Sequence, residues 1–151
     1  MKLDGNRLRL AASDLANHLG CRHFTNLDRL VAIGSLKAPS WRDPSAEVMQ
    51  KRGLEHERQY LEHLKSSGLN VVEVGNGTDD AAVEATREAM RTGADVIAQG
   101  ALASGCGRWF GRADVLRRVP RASDLGNWSY EAYNTKLARE TRAGALLQLW
   151  S

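Results

Sequence analysis

Between Gly111 and Lys136 the chain holds two stretches that alternate as strands do. They are Gly111-Arg112-Ala113-Asp114-Val115-Leu116 and Tyr130-Glu131-Ala132-Tyr133-Asn134-Thr135-Lys136-Leu137, and a polar connector joins them. A β-hairpin is the structure this pattern predicts. Successive side chains of an extended chain point to opposite faces, so Asn134 and Lys136 share one face while Glu131, Tyr133 and Thr135 share the other. An amide and an ammonium set side by side in mid-strand carry a desolvation cost of about a few kcal/mol unless partners answer them. Asp114, on the neighbouring strand, is the expected partner.

The rest of the chain supplies elements to pack against this hairpin. Ser13 stands as a capping residue before Leu15 and Leu19, which predicts a short amphipathic helix ended by Gly20. Leu27, Leu30 and Val31 predict a second helix up to Gly34, and residues 1–42 read together as a helical N-terminal cap. Asp43-Pro44 is a helix start, and the long helix it opens should present Met49, Gly53, His56, Tyr60 and Leu64 inward before stopping at Gly68. Gly53 weakens that helix by roughly 1 kcal/mol relative to alanine, so a close approach to another element is expected there. The β-prone run 69–74 predicts a strand. Thr78-Asp79-Asp80 then caps a helix with Val83, Arg87 and Met90 on one face. Strands over 94–102 and 108–119, joined by the glycine-rich turn Ser104-Gly105-Cys106-Gly107, make a three-strand meander with 130–138. Residues 139–151 read as a final helix, with Ala145, Gln148 and Leu149 on one side.

At 151 residues the chain suits a single domain. No uncharged apolar run is long enough to span a bilayer, and the polar opening Met1-Lys2-Leu3-Asp4 leads into no secretory segment, so no membrane partner and a cytoplasmic location are expected. The net charge of +3 and pI of about 9.1 say little by themselves. Their distribution says more, because Arg108, Arg112, Arg117, Arg118, Arg121, Lys136, Arg139 and Arg142 all fall in the last third, where they suit phosphate contacts. Two cysteines do not make a disulfide scaffold.

An aspartate followed by a strand carrying acid-x-Lys resembles the PD-(D/E)XK nucleases. The wording Gly-Arg-Ala-Asp-Val-Leu at 111–116 and Thr-Lys-Leu-Ala-Arg-Glu-Thr at 135–141 is similar to their RecB-like branch, which includes AddB-type and CRISPR-associated nucleases. The resemblance implies an α/β (α+β) fold: a restriction-endonuclease-like core of helix, antiparallel three-strand meander and helix over residues 43–151. The family's last core strand and helix are expected to lie beyond Ser151, making this core incomplete. It also implies Asp114 as the metal-ligating acid, Lys136 as the catalytic lysine and Asn134 in place of the family's second acid. His56, within Gly53-Leu54-Glu55-His56, would be a further ligand to Mg2+ or Mn2+, and Gln148, Arg112 and Arg139 would contact DNA. Cys21 takes the first place of a four-cysteine iron–sulfur pattern whose other members would lie beyond the chain; within this chain a buried free thiol is expected.

The expected function is metal-dependent hydrolysis of DNA phosphodiesters, impaired by Asn134, because an amide oxygen brings no negative charge to a hard cation. Two other readings are a noncatalytic DNA-binding remnant and a structural fragment of a larger nuclease-helicase. DNA is the expected partner, with a helicase domain or subunit as a second.

Overall fold

The computed structural model describes residues 1–40, 44–75 and 77–133. Asn134, Lys136, Arg139 and Gln148 therefore lie outside the described residues, as does the helix expected over 139–151. The described residues form a mixed α/β arrangement with four helices and a mixed four-stranded sheet, in two compact units.

One unit takes in residues 1–40 and Ala103–Gly111. It opens with an antiparallel pair that the sequence reading left out, β1 (Lys2–Asp4) and β2 (Arg7–Arg9), turning through Gly5 at φ +55°. The next residue, Leu10, bridges to Trp109; its amide donates to Arg108 O at 2.7 Å, and Phe110 N–H donates back at 2.9 Å. Two helices follow, α1 (Ala12–Gly20) and α2 (Arg22–Ala32). Ser13 lies inside α1 and is not its cap. Instead the Asp14 carboxylate accepts the Ala11 amide at 2.7 Å and pairs with the Met1 ammonium at 2.6 Å, both partners of that ion pair being over nine-tenths buried. Cys21 joins the two helices and is exposed, contrary to the buried thiol expected.

The second unit takes in Asp43–Leu102 with Arg112–Ala138. It contains α3 (Pro44–Ser66), β3 (Val71–Glu73), α4 (Asp79–Arg91), β4 (Val96–Ala103), β5 (Phe110–Val119) and β6 (Ser129–Tyr133), the hairpin tip between β4 and β5 belonging to the first unit. The sheet order is β3-β4-β5-β6. The meander was foreseen, but β3 extends it, pairing parallel to β4 with Val71 opposite Val96. The crossover through α4 is what a parallel pair needs. Arg118 N–H to Asp95 O at 3.0 Å and Ser104 N–H to Trp109 O at 3.0 Å run β4 and β5 in opposite directions, and β6 pairs antiparallel to β5 with Val115 opposite Tyr133.

Helices cover both faces of the sheet. Leu61 and Leu64 of α3 pack with Val96, Ala98 and Val115, joined by the half-buried Tyr60, Leu69 and Val71. Burying each leucine is worth about 1.5–3 kcal/mol. On the other face, α4 buries Ala82, Val83, Thr86 and Ala89; of the three residues expected to share one face, Val83 is buried and Met90 half-buried, while Arg87 is exposed. Thr86 is wholly buried, and its hydroxyl donates to Ala82 O at 2.8 Å and accepts the Ala101 amide at 2.9 Å. Among the described residues no helix is long and apolar enough to cross a membrane.

Gly100 of β4 is closely overlain, since an added Cβ would lie 2.6 Å from Leu116 Cδ1 of β5 and 3.5 Å from Thr86 Cγ2 of α4. Gly100→Ala is expected to destabilise by about 1–3 kcal/mol, the usual cost of overpacking, read as a lower urea midpoint at unchanged slope.

At the sheet's opposite end, the Tyr130 hydroxyl donates to Ala94 O at 2.6 Å, and burial pushes its pKa above the ordinary value, with Arg118 opposing and Asp95 adding to the shift. A raised folded-state value makes this contribution complete below the ordinary value of about 10 and lost as pH rises through the folded value. Tyr130→Phe should therefore cost about 0.5–1.5 kcal/mol at neutral pH, and the gap to wild type should close in denaturation curves taken at strongly alkaline pH.

Candidate functional site

The helix that carries the sequence-predicted histidine is rotated from the expected face. Among its residues Leu61 and Leu64 are buried and Gly53, Glu57 and Tyr60 are half-buried, whereas Met49 and His56 are exposed. The inward stripe thus passes one position after the histidine. The reason is the anchor at the C-terminal half of α3: once Leu61 and Leu64 both enter the core, the 3.6-residue period brings position 57 under the helix and sends 56 outward. Gly53 is not explained by close approach either, since an added Cβ there meets nothing within 4 Å.

The outer side of α3 presents a groove edge of Met49, Lys51, Arg52, Glu55, His56 and Gln59. Further along, its charges are paired: Arg58 bonds Glu55 at 2.8 and 3.1 Å and Glu62 at 3.0 Å, and Lys65 pairs with Glu73. Arg58 first, then the Gln59 amide, hold the Glu55 carboxyl below its ordinary pKa. These pairs are exposed and screened by solvent, so they add little to stability. Their effect here is to leave Lys51 and Arg52 as the uncompensated cations beside His56 among the described residues.

Where α3 faces the sheet, a polar line crosses three elements. Glu57 Oε1 accepts a short hydrogen bond from the Gln99 side-chain amide of β4, and Gln99 O accepts from Arg112 Nη1 of β5 at 3.3 Å. Gln99 has φ +55°, and it is the one non-glycine residue with positive φ among those described. A left-handed backbone at a side chain of this size costs about 1–3 kcal/mol and persists where neighbours hold it. A hydrogen bond to a charged group, worth about 1.5–3 kcal/mol, is of the size needed to do so.

Asp114 follows two residues after Arg112 on the same strand and is half-buried. It immediately precedes the core residue Val115, whose cross-strand partner is Tyr133. The structure thus brings Glu57, Gln99 and Arg112 together, with Asp114 next along the strand. His56 stands on the exposed side of α3. The donor types, a carboxylate and an imidazole, suit a divalent cation. Among the described residues, however, no group of three or more His, Cys, Asp or Glu side chains is placed to hold a metal ion.

Neither Glu57 nor Gln99 was picked out from the sequence. Gln99 had a signal: it is the one strongly polar side chain inside the run Val96-Ile97-Ala98-Gln99-Gly100-Ala101-Leu102. Glu57 had only its place beside His56. The chain matches no family model, and no match is found among the curated proteins or the solved structures.

In the first unit, the hairpin tip holds an exposed thiol, Cys106, whose Sγ lies 3.4 Å from Ser104 Oγ. The Ser104 hydroxyl first, then the Arg108 backbone amide, hold its pKa below the ordinary thiol value. The thiolate is the reacting form, so Ser104→Ala should slow reaction of Cys106 with Ellman's reagent near neutral pH. Stopped-flow absorbance, in a Cys21→Ser background, reads that rate.

Proposed function

We propose that this chain is a RecB-like nuclease domain of the PD-(D/E)XK type, with a restriction-endonuclease-like core, that binds DNA and hydrolyses its phosphodiesters. The observation that supports it most is the pairing of β5 with β6. That ladder sets Val115 opposite Tyr133, so Asp114 adjoins the point where the chain continues into Asn134-Thr135-Lys136. The family pattern is an acid on one strand with acid-x-Lys following on the next, and in this sequence Asn134-Thr135-Lys136 comes directly after Tyr133.

In this reading Lys136 stabilises negative charge developing on the phosphate, and Asp114 provides the anionic oxygen of the site. Mg2+ or Mn2+, held through Asp114, would supply activation of water and neutralisation of phosphate charge, and His56, on the exposed side of α3, is left out of this donor set. Arg112, Arg139 and Gln148 would hold the strand through its phosphates, and a helicase domain or subunit would deliver it. Asn134 lowers the anionic charge by one where the family has a second acid. That residue favours a second reading, a DNA-binding remnant whose cleavage has been lost, and Lys51 and Arg52 on α3 suit such binding equally.

Cleavage of single-stranded DNA by the purified protein separates the two. Weak Mg2+- or Mn2+-dependent cleavage is expected, falling by about 10²–10³-fold in Lys136→Ala, the scale of losing one charge-stabilising donor. Asn134→Asp, nearly unchanged in volume, should raise both metal affinity and rate. Salt-sensitive binding with no cleavage in wild type or in Asn134→Asp would select the remnant, and cleavage indifferent to Lys136→Ala would overturn the nuclease assignment.

A further inference from the structure

The left-handed residue Gln99 stands in a strand that needs no glutamine for its core. Glycine adopts φ +55° without strain, so a chain requiring only the backbone turn would do better with glycine at position 99. The glutamine is instead tied at both ends. Its side-chain amide donates to Glu57, 42 residues earlier on α3, and its carbonyl accepts from Arg112. Gripping the amide keeps the backbone in its unusual turn, and the turn aims the carbonyl at the guanidinium.

Arg112 is half-buried, and the bond to Gln99 O is its one hydrogen bond with the described residues. A guanidinium has five N–H donors in a fixed fork. No buried side-chain nitrogen or oxygen lacks a partner among the described residues, so the donors left over are not sealed from solvent. A cation pinned on one nitrogen, with the rest of its fork open and Asp114 two residues away, is built to receive an anion of phosphate geometry.

Resting on the nuclease reading above, we infer that Glu57 and Gln99 are positioning residues for Arg112, whose open guanidinium edge takes a phosphodiester of the bound strand. Glu57 acts through Gln99 and does not touch the substrate. The inference makes a prediction of unusual sign. Removing a carboxylate near a nucleic-acid site ordinarily strengthens binding, because a repulsion is lost. Here Glu57→Ala weakens it.

The test uses the full chain and a fluorescein-labelled single-stranded oligothymidylate, with anisotropy measured over a salt series. Arg112→Ala is expected to weaken binding about tenfold and to reduce the slope of log K against log salt by about 0.7, the value for one single-strand phosphate contact. Glu57→Ala and Gln99→Ala should do the same in direction and similar size. Glu57→Gln keeps an oxygen that accepts from Gln99, so it should restore near-wild-type affinity; a merely structural or merely electrostatic role for Glu57 predicts no such pattern. Tighter or unchanged binding by Glu57→Ala, or an unchanged slope in Arg112→Ala, overturns the inference. Should wild type bind no DNA, the nuclease reading falls by itself, and the exchange of the Arg112 guanidinium protons in ¹⁵N-arginine spectra decides the positioning. Slow exchange in wild type and Glu57→Gln, but fast exchange in Glu57→Ala, upholds it; equal exchange in all three removes it.

Discussion

The register of the sheet depends on how the chain leaves α4. A helix end exposes carbonyls that have no partner within the helix. Here Gly93, at φ +74°, turns the chain so that its own amide and that of Ala94 close onto Met90 O and Ala89 O. Side chains from β5 and its downstream neighbours then complete the set: Trp128 Nε1 donates to Met90 O, Arg118 Nη1 to Gly93 O and the Tyr130 hydroxyl to Ala94 O. The arginine also brings positive charge to the negative end of the helix dipole. Asp95 fixes the strands at the same point, its carboxylate taking the Asn70 amide and an Arg118 nitrogen while its carbonyl takes the Arg118 amide. One corner therefore sets β3, β4, β5 and the approach to β6 relative to α4.

That corner explains which parts of the fold were legible. Helix starts and stops rest on local chemistry, so Thr78 capping α4 through Ala81 N–H and Gly68 and Gly93 ending their helices could be read directly. The hairpin of β4 and β5 was readable for the same reason, through its glycine-rich turn. The pairing of β3 with β4 was not, because a parallel ladder is closed by residues far apart in sequence, here Asn70 with Asp95 and Val96. The β1/β2 pair escaped because three-residue strands show too little alternation to be seen, and Leu10 completes them only by bridging to Trp109.

The positions of the candidate residues were legible on the strands more than on the helices. Asp114 could be placed on its hairpin, since strand neighbours share a ladder whatever the helices do. Placing His56 inward required the rotation of α3, and a helix turns by about 100° per residue, so an error of one position moves a side chain from core to solvent. The expected stripe kept Tyr60 and Leu64 but extrapolated N-terminally without Leu61, whose burial fixes the rotation. Cys21 was misjudged on a general tendency of free thiols, whereas its place between α1 and α2 leaves it at the surface.

The strain at Gln99 follows from packing one residue further on. Leu116 Cδ1 lies 2.6 Å from where a Cβ of residue 100 would stand, so any other side chain at 100 has to displace that buried leucine. The backbone that delivers Gly100 to this contact is left-handed at the preceding residue, where a glycine would also be the easy choice. The chain places glutamine there instead, and an unsupported glutamine in that conformation would relax. Glu57 from the α3 side and Arg112 from β5 supply the support. Core packing on the α4 face and the polar line on the α3 side are thus two sides of a single backbone turn. A change at Leu116, which touches no polar group of the line, would reach Arg112 through Gly100 and Gln99, and through Arg112 the stretch of β5 that carries Asp114.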